Sequence, residues 1–146
     1  GPNEFRAIVN GHFRMAPPAG FPPILGVVNG TVEWVFAFPD RLSITVSGAD
    51  RLVDRPREEL AAELWREVAF LTGLPDTLPP WQIVKEKRAT FAATPHQDAR
   101  RPDARTRWRN LVLAGDWTQT GLPATIEGAI LSGERAASMV MKGQKR

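Results

Sequence analysis

Leu111-Val112-Leu113-Ala114-Gly115-Asp116-Trp117-Thr118-Gln119-Thr120-Gly121-Leu122-Pro123-Ala124-Thr125-Ile126-Glu127-Gly128-Ala129 runs from an apolar segment into Gly-Asp, then through a polar turn into a helix expected to begin near Pro123. The apolar run is short, as in a strand buried on both faces of a parallel sheet. Gly115 lets a ligand approach the backbone closely, and Asp116 offers a carboxylate suited to the hydroxyls of a ribityl or ribose chain. Pro123 and Thr125 fit the start of a helix, whose first free N–H groups can receive an anion or a partly negative ring edge. A strand, an acidic turn and a helix N-terminus in this order form a corner for a polar, phosphate-bearing ligand. An ordinary surface turn capped by Asp116 uses the same residue types, and composition leaves both readings open.

The helix after Pro123 favours the ligand corner. Gly128, Ser132, Gly133, Ala136 and Ala137 give it a thin face. Each interior glycine costs a soluble helix roughly 1 kcal/mol against alanine. Close approach of another backbone or of a cofactor is a reason to keep two of them.

Upstream of this corner the chain alternates short apolar segments with turn signals. Residues 5–14 form a first expected strand, followed by the proline-rich Ala16–Pro23, which forbids regular pairing. Asn29-Gly30 lies between the apolar run Ile24–Val28 and Thr31–Phe38, a strong hairpin signal because both residues tolerate positive φ. Pro39-Asp40 makes a second turn. Leu42, Ile44 and Val46 then alternate with polar residues, as in a strand with one wet face. These segments predict an antiparallel meander.

A helix over 55–72 follows, with Asp54 as its expected N-cap, Pro56 in its first turn and Glu58-Glu59 at the positive end of its dipole. Leu60, Leu64, Val68 and Leu71 are spaced as one buried stripe, and Gly73 ends it. Pro75, Pro79 and Pro80 lead into a strand from Trp81 through Phe91.

The 146 residues allow one ordinary domain, or one domain and part of another. Gly1-Pro2 reads as the scar of a cleaved tag and is set apart. The expected division is 3–94 as a meander with its helix, 95–107 as a solvated basic loop, and 108–146 as the ligand corner with its helix. The absence of cysteine excludes disulfides, thiolate metal sites and cysteine nucleophiles.

The net charge of +3 is local in origin: between Lys85 and Arg109 eight Lys/Arg face three acids. Nucleic-acid binding would call for that charge interleaved with exposed aromatics or set on a recognition helix. Pro95, Pro102 and the scattered aspartates instead predict a solvated loop, with attraction to an anionic membrane surface as the smaller alternative. No nucleic-acid partner is expected. His12 and His96 lack a second ligand at metal-binding spacing, so no metal site is expected. Gly-x-Ser-x-Gly, the phosphate-loop pattern and Gly-x-Gly-x-x-Gly are all absent from these residues. No catalytic acid or base can be named.

Leu113–Ala129 with Ser132-Gly133 closely resembles the C-terminal flavin motif of the amine oxidase/phytoene desaturase superfamily. Its Trp117-Thr118-Gln119-Thr120-Gly121-Leu122-Pro123-Ala124-Thr125 form looks most like the squalene-associated FAD-dependent desaturases, also called hydroxysqualene dehydroxylases, of hopanoid pathways. Phytoene and ζ-carotene desaturases are the next neighbours. Ile8–Phe13 and Trp81–Phe91 also resemble that branch.

The resemblance implies an α+β fold. In it, an antiparallel meander with a packed helix belongs to a substrate domain, and a strand–turn–helix completes a Rossmann-like FAD-binding domain. It implies FAD as cofactor, with Gly115, Asp116, Trp117, Leu122, Pro123, Ala124 and Thr125 as cofactor-binding residues. Gly115 and Asp116 would meet the ribityl–pyrophosphate region, and the turn to Thr125 would lie beside the isoalloxazine. Trp34, Phe36 and Phe38 would wall a pocket for an isoprenoid substrate such as hydroxysqualene or a carotenoid precursor. Core packing is the competing reading of those three aromatics.

Such enzymes carry Gly-x-Gly-x-x-Gly near their N-terminus, and this sequence lacks it. The expectation is therefore the C-terminal third of an FAD-dependent oxidoreductase, which alone is inactive and does not retain FAD. A free-standing α+β interaction module is the alternative. The expected location is the cytoplasm, with contact at the inner membrane, and self-association is expected through surfaces that face absent parts of the enzyme.

Overall fold

The computed structural model describes residues 1–143. They divide into two compact units, one spanning Arg6–Ala89 and the other joining Gly1–Phe5 to the chain from Thr90 onward.

The first unit is built on a mixed α+β plan. Its sheet comprises β1 (Phe5–Phe13), β2 (Ile24–Gly26), β3 (Trp34–Phe38), β4 (Arg41–Val46) and β5 (Trp81–Phe91), in the order β2-β3-β4-β1-β5. The expected meander is β2-β3-β4, whose pairings are antiparallel. β1 adds to β4 antiparallel, pairing Val9 with Val46 and Phe13 with Leu42. The Pro39-Asp40 turn is tight, since Phe38 and Arg41 pair directly across it.

The first hairpin is longer than Asn29-Gly30 predicts. Asn29 does take a positive φ of 63°. Thr31, Val32 and Glu33, expected in the strand, instead form a loop. The Glu67 carboxylate explains the departure, accepting the N–H of Thr31 at 3.1 Å and that of Val32 at 3.2 Å. Those donors are satisfied outside any ladder, and the Val32 side chain is wholly buried.

Helix α1 (Arg57–Thr72) covers one face of the sheet. It buries Leu60, Leu64 and Val68 as the stripe predicts, together with Ala61, Trp65 and Ala69, while Leu71 packs at the margin. Phe13 and Trp65 meet with ring centroids 5.1 Å apart. The helix ends at Gly73 in the left-handed conformation, as expected. Its start differs: Pro56 occupies the N-cap, and Asp54 does not cap. The Asp54 carboxylate instead meets Lys87 Nζ at 2.8 Å, and that ammonium lowers its pKa through hydrogen bond and charge. The wet face of β4 is also narrower than expected, because Ser43 is buried.

The second unit has little regular structure besides α2 (Pro95–Asp98) and α3 (Ile126–Gly143). Three expectations are corrected here. Leu111–Leu113 is not a strand: Val112 makes a single antiparallel bridge with Arg105, and Leu113 N–H reaches Ala104 O at 2.8 Å. A three-residue run needs a continuous ladder along its length to become a strand, and the segment 104–106 beside it makes only this one bridge. The last helix begins at Ile126 rather than near Pro123, because Thr125 supplies the N-cap: its hydroxyl accepts Gly128 N–H at 3.1 Å.

The third correction concerns 95–107, which is not simply a solvated loop. It contains α2 and buries Gln97 and Arg101. Gln97 Oε1 accepts the N–H of Asn3 at 2.9 Å, and Gln97 Nε2 donates to Asn3 Oδ1 at 3.1 Å. This side chain ties the N-terminus to the second unit.

Candidate functional site

The predicted cofactor residues fall together in the second unit, in the turn between Gly115 and α3. Gly115 has a φ of 145°, and a Cβ there would overlap the Trp117 indole. Its N–H donates to Ser132 Oγ at 2.8 Å, while Ser132 Oγ donates to Ala129 O at 2.6 Å. Its carbonyl accepts both the N–H of Thr118 at 3.0 Å and the Thr118 hydroxyl at 2.8 Å. Ser132, on the thin face of α3, thus holds the Gly-Asp turn against the helix.

The thin face has two different causes. At Gly128 a Cβ would lie 2.7 Å from Pro123 O, so the glycine admits the close approach of the turn's own backbone. At Gly133 a Cβ would meet nothing within 4 Å. That position faces open space.

The far end of the turn is held by a residue that sequence reasoning passed over. The Arg101 side chain is only 2% exposed. Its Nη1 donates to Leu122 O at 2.8 Å and to Asp98 Oδ1 at 3.1 Å, and its Nη2 donates to Asp116 O at 3.0 Å and to Thr120 Oγ1 at 3.1 Å. The guanidinium lies 5.2 Å from the Phe91 ring centroid. One guanidinium therefore bonds the carbonyls at both ends of the segment from Asp116 to Leu122. The only sequence signal available was an arginine beside Pro102 in a run of charges, which a solvated loop explains equally well.

These bonds leave a specific set of groups free. Asp116 is half-buried, its carbonyl is bound by Arg101, and its carboxylate has no partner among the described residues. Thr125 uses its hydroxyl on Gly128 and its carbonyl on Ala129 N–H at 3.0 Å, so Ile126 and Glu127 carry first-turn donors without intrahelical acceptors. Leu122 and Ala124 are half-buried, while Trp117, Pro123 and Thr125 are exposed. A free carboxylate accepts hydroxyl hydrogens, and helix-start donors receive negative charge. This donor and acceptor set fits a polyhydroxyl chain attached to a phosphate or an electron-rich ring.

The predicted pocket aromatics lie in the first unit. Val35 points into the core, so Trp34, Phe36 and Phe38 share the opposite face of the sheet, which α1 leaves uncovered. Core packing therefore does not account for them. Trp34 remains 46% exposed, with its ring above Gly26, and the Arg41 guanidinium sits 4.0 Å over the Phe38 ring. Cross-strand register carries this face onto polar pairs: His12 Nδ1 and Ser43 Oγ lie 2.9 Å apart, and Thr45 Oγ1 donates to Asn10 Oδ1 at 2.7 Å. Beside them a cleft of about 290 Å³ is lined by His12, Arg14, Asp40, Arg41, Trp81 and Gln82 among others. In the sequence His12 has no second ligand at metal-binding spacing. Only the β1–β4 register brings it to Ser43.

Comparison with known proteins gives a consistent family assignment. The profile of a family described as flavin containing amine oxidoreductase matches residues 3–141. Over 140 residues the chain is 64% identical to a hydroxysqualene dehydroxylase of Rhodopseudomonas palustris, covering 96% of this chain and 34% of that protein. It is 61% identical to the hydroxysqualene dehydroxylase of Sinorhizobium fredii, with the same coverage. A 15-cis-phytoene desaturase of Synechococcus elongatus is more distant, 31% identical over 114 residues covering 73% of this chain and 24% of the relative. The chain thus spans about a third of the length of these curated relatives.

Proposed function

The chain belongs to the flavin containing amine oxidoreductase family, and on that premise we propose that it forms one side of the FAD site of an FAD-dependent oxidoreductase acting on an isoprenoid. Hydroxysqualene is the favoured substrate, since relatives 64% and 61% identical are named hydroxysqualene dehydroxylases. A carotenoid precursor is the second choice, because the phytoene desaturase match is only 31% identical.

The observation that carries the cofactor reading is the free Asp116 carboxylate, held on a braced turn beside the start of α3. Gly115, Asp116 and Trp117 would meet the ribityl–diphosphate part of FAD. Leu122, Pro123, Ala124 and Thr125 would lie along the isoalloxazine, with the α3 dipole favouring negative charge there. FAD, when bound, supplies two-electron redox chemistry at a substrate carbon. The chain's own contribution is to bind, orient and exclude water. Trp34, Phe36 and Phe38 would give an apolar wall to the isoprenoid chain.

Three further statements belong to the same reading. Leu111–Leu113 and α3 would complete a Rossmann-like FAD domain, in which the short apolar run gains the strand neighbours it lacks here. The 146 residues alone would not retain FAD, because they contain no Gly-x-Gly-x-x-Gly for its diphosphate. The enzyme would work in the cytoplasm, peripherally at the inner membrane, where its substrate partitions.

The test is to incubate the full-length, FAD-loaded protein with hydroxysqualene after reducing its flavin with dithionite, or with phytoene and a quinone as electron acceptor, and to analyse the products. Reductive loss of the hydroxyl from hydroxysqualene is the expected result. Conversion of phytoene alone would move the assignment to the carotenoid branch, and turnover of neither would remove the isoprenoid reading.

A further inference from the structure

Arg101 offers more than its buried charge. A guanidinium brings five N–H donors in a rigid fork, and here four bonds are made from its two terminal nitrogens while Nε has no partner. Two of the acceptors, Asp116 O and Leu122 O, are backbone carbonyls at opposite ends of the turn, and a third is the buried Thr120 hydroxyl between them. No strand ladder crosses this segment among the described residues, so its conformation depends on such side-chain bonds together with the single backbone bond from Gln119 N–H to Pro102 O. Ser132 holds Gly115 from the helix side, Arg101 holds Asp116, Thr120 and Leu122, and Gln119 between them is held by Pro102 O at 2.8 Å and by Arg135 Nη1 at 3.1 Å.

We propose that Arg101 is a positioning residue for the flavin corner: it grips the Asp116 and Leu122 carbonyls and thereby sets where the Asp116 carboxylate and the segment entering α3 stand. It touches no reacting atom. This rests on the reading of Gly115–Thr125 as a flavin site. Lysine cannot replace it, because one ammonium on a flexible stem cannot bridge both carbonyls and the Thr120 hydroxyl in a fixed plane. Small displacements of a positioning group cost large factors in what it positions.

The experiment measures FAD dissociation constants and the visible circular dichroism of bound flavin in the full-length protein, well below its melting temperature. The variants are Arg101→Lys, Asp116→Ala and Leu60→Ala, the last a core change in the other unit that controls for lost stability. Arg101→Lys is expected to weaken FAD by about tenfold or more and to alter the flavin dichroism, as misplacement of a positioning group does. Leu60→Ala should lower the melting temperature and leave both unchanged.

If Asp116→Ala weakens FAD while Arg101→Lys binds like the parent, the positioning role is overturned and the site reading stands. If Asp116→Ala has no effect, the site reading fails and the inference falls with it. Should Arg101→Lys not fold, Thr120→Val removes one acceptor of the fork. A several-fold loss of FAD affinity then supports the role, and parental affinity overturns it.

Discussion

At Gly30 even a methyl group would overlap the Glu67 carboxylate that receives the N–H groups of Thr31 and Val32. Glu67 is a flexible side chain, so it can move aside, and the cost of Gly30→Ala is then the loss of those bonds. Unsatisfied buried donors and hydrogen bonds to charged groups are each worth about 1–3 kcal/mol. Glu67→Ala and Gly30→Ala should therefore each destabilise by about that amount in urea unfolding. Combined, they should cost little more than either alone, and full additivity would refute the linkage. Neither Glu67 nor Arg101 was legible in the sequence. Each acts on backbone groups far along the chain, and a charged residue in an amphipathic helix or a polar segment looks the same whether it is solvated or bound.

Elements were legible where their periodicity matched a buried face. β3 and β4 alternate, α1 repeats its stripe, and both follow from one core shared between them. Leu111–Leu113 forms no strand because an apolar run specifies burial without naming a partner, and among the described residues no strand pairs with it. The thin face of α3 was half legible: Gly128 serves the turn, and Gly133 has no neighbour. Trp65 tests the core directly. It is fully buried with its indole N–H unpartnered, so Trp65→Phe should be close to neutral, whereas Trp65→Ala should cost about 3–5 kcal/mol in chemical unfolding.

The start of α1 has a pH signature. Arg55 bonds Glu63 at 2.7 Å, and that bond lowers the Glu63 pKa from its ordinary 4.5. A carboxyl with a lowered folded-state pKa stabilises fully above 4.5, and the contribution disappears as pH falls through the lowered value. Both side chains are more than a third exposed, so solvent screens the pair and its contribution is small. Glu63→Gln should lower stability slightly near neutral pH and converge with the parent in acid, as followed by thermal melts. A constant offset at every pH would contradict this.

For the whole molecule, exposed apolar surface is the dominant feature. Ile126 is 82% exposed, and Ile130, Val140 and Met141 follow it on α3. Trp34 and Phe38 extend the exposure on the free sheet face of the other unit. Surfaces of this kind mark contacts with another chain or another domain. In isolation the 146 residues should self-associate, and Ile130→Glu should shift sedimentation towards monomer. Unchanged association in that variant would assign it to the sheet face instead. The same exposure is what the flavoenzyme reading requires, since a chain covering about a third of its relatives would meet the remainder through such faces.

As one half of an FAD site, the Gly115–Asp116 turn should govern how much flavin the full-length protein carries. The most direct measurement is the flavin content of the full-length protein as purified, in the parent and in Asp116→Ala. Stoichiometric FAD is expected in the parent, and its substantial loss in the variant. Equal flavin in both proteins, or none in the parent even after incubation with FAD, would contradict it.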